Sequence, residues 1–281
     1  MSTATIDGIR TRYELVGDGP PILMFPPGGF NATIENWSGH GIYQRLGLVS
    51  ALSRSYTCVL FDRREAGGSG GRVERLGWPA YVTQGLGLLD HLGFERAHLM
   101  GGCVGCSTAA AFAIAHPDRV GHMVLYSPAG GAHYRLGQHA RFARHHAYVA
   151  EHGLGAVVAL ASETSASFGE EPTLGPWASV IRTDADFASA YAMLDPRRYL
   201  AIVAGTARLL FDRDSVPGVE PEDLMNLDVP ALIVPGQDAS HATSAARFLQ
   251  ECLPNAEYWG VPVADQSADN APDRIMRFLA S

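Results

Sequence analysis

The chain has 281 residues, 47% of them apolar, which suffices for one large domain or for a core carrying an insertion. A formal charge of −8 at pH 7, with no basic cluster, argues against nucleic acid or an anionic membrane as partner. No stretch reaches the ~18 apolar residues of a membrane span. The N-terminus lacks a signal-peptide pattern, and the four cysteines suggest no secreted disulfide framework, so a cytoplasmic protein with free thiols is expected.

In chain order, residues 4–16 read as an amphipathic strand pair. Short apolar runs at 21–25, 56–61, 97–100, 122–126, 231–234 and 256–261 follow, bounded by Pro, Gly and Asp. Continuous runs of this kind suit parallel strands covered on both faces. Helical patterns fall at about 42–53, 78–92, 104–115, 241–252 and 271–280. The alternation predicts a doubly wound, mostly parallel α/β sheet. Between Tyr126 and Ala231 the rhythm breaks into helical periodicity, with turn signals at 128–131 and 216–218. Residues 132–217 are therefore read as a helical cap, inserted into a core made of 1–131 and 218–281. Its aromatic residues Phe142, Tyr148, Phe168, Trp177, Phe187 and Tyr191 predict a chiefly apolar pocket beneath it.

The chemistry concentrates at Gly101-Gly102-Cys103-Val104-Gly105, which fits the G-x-S-x-G nucleophile elbow with cysteine at the serine position. The strand before it must turn abruptly into the Ala-rich helix after it, so the flanking positions tolerate almost no side-chain bulk. A thiol presented at a helix N-terminus is also expected to ionise more readily. Cys106, one turn further on, reads as packing.

These features resemble the α/β-hydrolase superfamily, in particular its cap-bearing branch of esterases, lactonases and C–C bond hydrolases. Phe25-Pro-Pro-Gly-Gly-Phe30 is similar to the segment after the family's third strand. Phe61-Asp-Arg-Arg-Glu-Ala-Gly-Gly-Ser69 is similar to its D-x-R-G-x-G-x-S turn, and His116-Pro-Asp-Arg-Val120 to its H-P-x-R-V stretch. Val229–Asp238 is similar to the strand that ends in the catalytic acid. The resemblance implies Cys103 as nucleophile, Asp238 as acid, and the backbone N–H groups of Val104 and of Gly28 or Gly29 as oxyanion donors. Glycines that serve only a tight turn are the plainer reading of the last two.

The family's histidine after the last strand is missing. Register places Gln266 there, predicted to point its carboxamide at Cys103 and Asp238. A glutamine binds a carbonyl or a water but takes up no proton near neutral pH. His241 either takes over as base or, the simpler expectation, sits on the first turn of a surface helix. His133, at the pocket rim, is a second candidate base. Phe30, His40, Trp177 and Tyr191 are candidates for substrate contact, and Glu35 would share the pocket mouth with His40. His145 and His146, beside Arg141 and Arg144, read as a solvated helix face and not as a metal site. For Arg63 and Arg64, a loop-holding pair with Asp62 is preferred over recognition of a substrate carboxylate.

No cofactor or metal is expected. The expected partner is a small-molecule substrate, with a homodimer left open. The leading function is a cysteine-dependent hydrolase or acyl transferase for a small ester, lactone or C–C bonded carbonyl compound. A lyase, isomerase or decarboxylase, or a binding protein that has lost catalysis, stays open because the base is missing.

Overall fold

Eight strands form one sheet in the computed structural model, which describes residues 2–39 and 41–281. They are β1 (Ser2–Ile6), β2 (Ile9–Val16), β3 (Pro21–Phe25), β4 (Thr57–Phe61), β5 (Ala97–Gly102), β6 (Val120–Tyr126), β7 (Ala231–Val234) and β8 (Ala256–Tyr258). Their spatial order is β1-β2-β4-β3-β5-β6-β7-β8. The first two pair as an antiparallel hairpin through Asp7 and Gly8, both at positive φ (50° and 70°), as a tight two-residue hairpin turn requires. Strand β2 runs antiparallel to β4, and β3 to β8 are mutually parallel.

Strands β3, β4 and β7 are almost wholly buried, because helices cover both faces. One face packs beneath Trp78–Leu92, Gly105–Ala115 and Thr243–Cys252. The other lies against the short helices between Asn36 and Leu52 and against Ala271–Leu279. From β3 the chain steps outward to β4 and then crosses back to β5 on the opposite side. The carboxyl ends of β3 and β5 therefore border the crevice where connections diverge, the place where open α/β sheets bind ligands.

Three boundaries differ from expectation for local reasons. The helix expected over 42–53 is broken, because Gly47 enters the left-handed region at φ 57°. The last strand stops at Tyr258 rather than 261. The helix expected from 241 begins at Thr243, behind an extended Ala242, so His241 lies in the preceding loop.

The stretch between β6 and β7 is helical: Ala132–Glu163, kinked at Gly153, then Ala178–Thr183, Ala185–Ala192 and Pro196–Leu210. Asp184 and Asp195 cap the last two by accepting from the N–H groups of Phe187 and Arg198, and Pro196 opens the final helix. These helices bury an aromatic cluster of their own above the sheet's carboxyl edge. Among the described residues no helix is long and apolar enough to cross a membrane.

Candidate active site

Cys103 holds a positive φ of 54°, unusual for a side chain with a Cβ, in the turn between β5 and Gly105–Ala115. The two flanking glycines are forced by contact. A Cβ on Gly101 would lie 2.6 Å from the Cys106 backbone, and one on Gly105 would lie 2.2 Å from the Phe25 carbonyl oxygen. The Cys103 N–H donates to the Tyr126 carbonyl, and its own carbonyl accepts from Ala129, so the elbow is tied to the end of β6. Cys106 is fully buried, its thiol directed at the Gly101 carbonyl, and burial drives its pKa well up. That is the packing role expected of it.

His241 lies in the wall of the Cys103 cavity and not on a surface helix, which corrects the simpler expectation. Its Nδ1 sits 2.9 and 2.8 Å from the two oxygens of Asp238. The same carboxylate accepts from the N–H groups of Ser240 and His241, which closes the loop after β7 into one turn. That turn is pinned to the loop after β6, where Gly130 N–H donates to the Ser240 carbonyl at 3.0 Å. Gly236 permits the approach, since a Cβ there would lie 2.4 Å from the His241 Cβ. With Nδ1 committed to Asp238, the buried Nε2 has no hydrogen-bond partner among the described residues, and the nearby Cys103 thiol acts on the ring electrostatically.

The electrostatics of the pair follow. Burial pushes the Cys103 thiol up, but His241 and the N–H groups of Val104 and Gly28 outweigh it and hold the thiol below its ordinary value. Burial disfavours the His241 cation, yet Cys103 and Asp238 lift its pKa to about 9. Asp238 is likewise opposed by burial and brought below its usual range by His241. Each group of the pair therefore favours the charged form of the other. Of the backbone groups near the thiol, the N–H groups of Val104 and Gly28 help lower its pKa, and Gly28 and Gly29 both border the cavity.

Gln266 departs from expectation. It is fully buried, its Oε1 accepting from the Tyr126 hydroxyl at 2.5 Å and its Nε2 donating to the Val261 and Pro235 carbonyls. The carboxamide is consumed in joining the carboxyl ends of β6, β7 and β8, and it does not border the cavity. His133 is exposed and turned away, although its neighbour Tyr134 lines the pocket. Trp177 and Tyr191 belong to the aromatic cluster of the helices between β6 and β7: the indole donates to the Arg72 carbonyl and the phenol to the Tyr199 hydroxyl. Glu35 pairs with Arg12 at 2.6 Å and is absent from the cavity wall. His40 lies outside the described residues.

The cavity measures about 380 Å³, and Phe30 and Phe168 form its apolar side. The chiefly apolar pocket expected is met only in part, since the helical stretch after β6 brings Gln138, Arg141 and Glu170 into the wall beside Tyr134 and Phe168. Arg141 donates to Gln138 at 2.6 Å and has no carboxylate partner among the described residues. It was grouped with a solvated helix face only because its neighbours are charged. His145 from the same group is wholly buried, joining the Thr173 carbonyl to the Tyr199 hydroxyl. The loop pair expected for Asp62 is also different. Asp62 binds Arg12 and the N–H groups of Ile34 and Gly68, and Arg64 pairs with Glu65 and Glu74. Among the described residues no cluster suited to a metal ion occurs.

A family model described as the alpha/beta hydrolase fold matches residues 21–153. Over 132 residues the chain is 33% identical to 2-hydroxy-6-oxo-6-phenylhexa-2,4-dienoate hydrolase of Comamonas testosteroni, covering 46% of this chain and 44% of that one. Over 127 residues it is 32% identical to a dihydrolipoyllysine-residue acetyltransferase component of the acetoin cleaving system of Cupriavidus necator, covering 45% of this chain and 32% of that one. Less than half the length of these relatives is spanned. The enol-lactonase structure from Burkholderia xenovorans LB400 superposes over the whole of both chains, with a TM-score of 0.65 and 21% identity.

Proposed function

We propose that this chain, which has the α/β-hydrolase fold, is a cysteine-dependent hydrolase acting on a small ester, lactone or C–C bonded carbonyl substrate. The observation that carries the reading is the convergence on one sulfur. Cys103 faces an imidazole whose far nitrogen is held by Asp238, together with two backbone N–H groups. Nucleophile, base, orienting acid and oxyanion donors are the full set that acyl transfer needs.

The reaction follows from the protonation states. The Cys103 thiolate attacks the substrate carbonyl carbon, and the carbonyl π pair moves onto oxygen, where the N–H groups of Val104 and Gly28 hold it. Collapse of this intermediate expels the leaving group, which takes the proton from His241 Nε2, and a thioester remains. Neutral His241 then accepts a proton from water as that water attacks the thioester. The second collapse releases a carboxylic acid and restores thiolate and imidazolium. Asp238 holds the ring in register throughout. The relatives' names favour C–C bond hydrolysis of an oxo-dienoate, and the neighbouring lactonase favours a cyclic ester. The motive for a non-hydrolytic reading was the missing base, and His241 supplies one.

Brief incubation with 4-nitrophenyl acetate tests this. Mass spectrometry should find an acetyl group on Cys103 that disappears with time, faster in wild type than in His241→Ala. Unchanged turnover in Cys103→Ala would end the proposal.

A further inference from the structure

Arg63 follows β4 directly and is only 5% exposed, yet its guanidinium makes no hydrogen bond or ion pair among the described residues. Nε and Nη2 are both buried without partners. Of the nearby acids, Asp62 binds Arg12 and Glu74 binds Arg64, while Glu65 gives Oε1 to Arg64 and keeps a buried Oε2 that acts on Arg63 only through space. What remains to Arg63 is two aromatic faces, Tyr81 at 4.3 Å and Phe30 at 5.0 Å. The buried Tyr81 hydroxyl is also unpartnered. The Trp78 indole N–H lacks a partner too, but it presses on Gly218, where a Cβ would lie 2.2 Å away, so it serves as wall and not as donor.

Leaving a guanidinium buried with no hydrogen-bonded acceptor is among the costlier arrangements a fold can keep, because its N–H groups lose their hydration and gain no bond in exchange. Cation–π contacts return only part of that loss. The position explains the arrangement. Arg63, Tyr81 and Val104 border two small voids of about 10 Å³ each, room for one water apiece. Phe30, Tyr134 and Gln138 separate one of these voids from the Cys103 cavity and line both. Phe30 is half-buried and follows Gly28 and Gly29, both at positive φ, with nothing within 4 Å of a Cβ placed on Gly29.

We infer that Arg63 and the Tyr81 hydroxyl form an anion subsite that takes a carboxylate of the substrate, admitted when the Phe30 ring turns aside. The inference rests on the hydrolase reading for its substrate but on the orphaned donors for its chemistry. A planar carboxylate matches the fork of a guanidinium and accepts from a phenol as well, so one group would satisfy all three donor atoms. The subsite lies behind Val104, so a ligand anchored there would extend across the oxyanion position with its reacting carbonyl at Cys103. Arg141, on the cap side of the same cavity, is the competing cation.

Calorimetric binding of hexanoate and of neutral hexanamide to Cys103→Ala protein tests the subsite without turnover. The expected result is hexanoate binding at least ~10-fold more tightly, as one charge-assisted bidentate contact supplies. Adding Arg63→Met should remove that preference, adding Tyr81→Phe should reduce it, and adding Arg141→Met should leave it. Arg63→Met should also hold or raise the melting temperature in ligand-free protein, because an apolar chain replaces a buried unpaired cation. No preference in the parent, or a preference that survives Arg63→Met or vanishes with Arg141→Met, would overturn the inference. If Arg63→Met does not fold, an anion preference unchanged by Tyr81→Phe overturns it too. These readings are independent of catalysis. An intact preference beside turnover that persists in Cys103→Ala would sink the hydrolase reading alone.

Discussion

Two loops leave the carboxyl edge of the sheet side by side, one after β7 and one after β8, and they have divided the work unequally. The loop after β7 carries Asp238 and His241, acid and base on the proposed mechanism, three residues apart and closed into a single turn. The loop after β8 carries Gln266, fully buried and committed to Tyr126 and two carbonyls. A base needs a nitrogen left free to face the sulfur, and a strut needs every polar atom satisfied. On the proposed mechanism the proton acceptor sits on the loop after β7, because a triad is defined by geometry and not by chain position. The vacated position can then be locked for stability.

The sharpest way to break this division is to remove the base. His241→Ala should lower kcat/KM by about 10²–10⁴-fold on any carbonyl substrate the wild type turns over, the usual contribution of a positioned acid–base group. An activity within threefold of wild type would show that the ring is not the base. Asp238→Asn should cost less, about 10–100-fold, the usual range for a group that orients another. The Asp238 side chain is 63% exposed, so water screens its charge. A loss as large as that of His241→Ala would mean that Asp238 does more than orient. Gln266→Ala should do the reverse and leave kcat within a few-fold. It should lower stability in chemical unfolding by about 1–3 kcal/mol, because the buried Tyr126 hydroxyl loses its acceptor. Unchanged stability with lost activity would restore Gln266 to the site.

A good deal of this was legible in the residues. Apolar runs between Gly and Pro gave the order of strands, and the spacing of Gly101, Cys103 and Gly105 marked the elbow, because a sharp strand-to-helix turn excludes bulk at those positions. The candidate oxyanion donors, Val104 and Gly28 or Gly29, came from the family resemblance and not from that spacing. The base was less so. Asp238 and His241 are close in sequence, but a spacing of three fits a helix turn as well as a loop. Ties between distant segments, Gly130 to Ser240 and Ala242 to Gly130, hold His241 in the wall of the Cys103 cavity. Gln266 misled because register fixes where a residue lies along the chain and says nothing of which partners claim its side chain. Trp177 and Tyr191 misled because large aromatic residues signal burial, and the cap has a core of its own to fill. Arg63 was read as a partner of Asp62 in preference to a carboxylate ligand, because the claim of Arg12 on Asp62 shows only in three dimensions.

The pH dependence sharpens the same comparison. His241 is lifted to about 9, so kcat/KM should fall on the alkaline side near that value as the imidazolium is lost. The acid limb belongs to Cys103, held below its ordinary value, as the thiolate takes up a proton. The stability signs agree. A histidine pKa raised on folding contributes stability that is full below its ordinary 6.5 and is lost as pH rises through about 9.

Titration of the Cys103 thiolate by its ultraviolet absorbance, in wild type and in His241→Ala, tests the pairing at the centre of this account most directly. The other three cysteines are buried with raised pKa values, so they stay silent over the acid and neutral range. The account predicts one thiolate in the wild type appearing below the ordinary cysteine range, and its appearance shifted to higher pH in His241→Ala. The same titration midpoint in both proteins would contradict it.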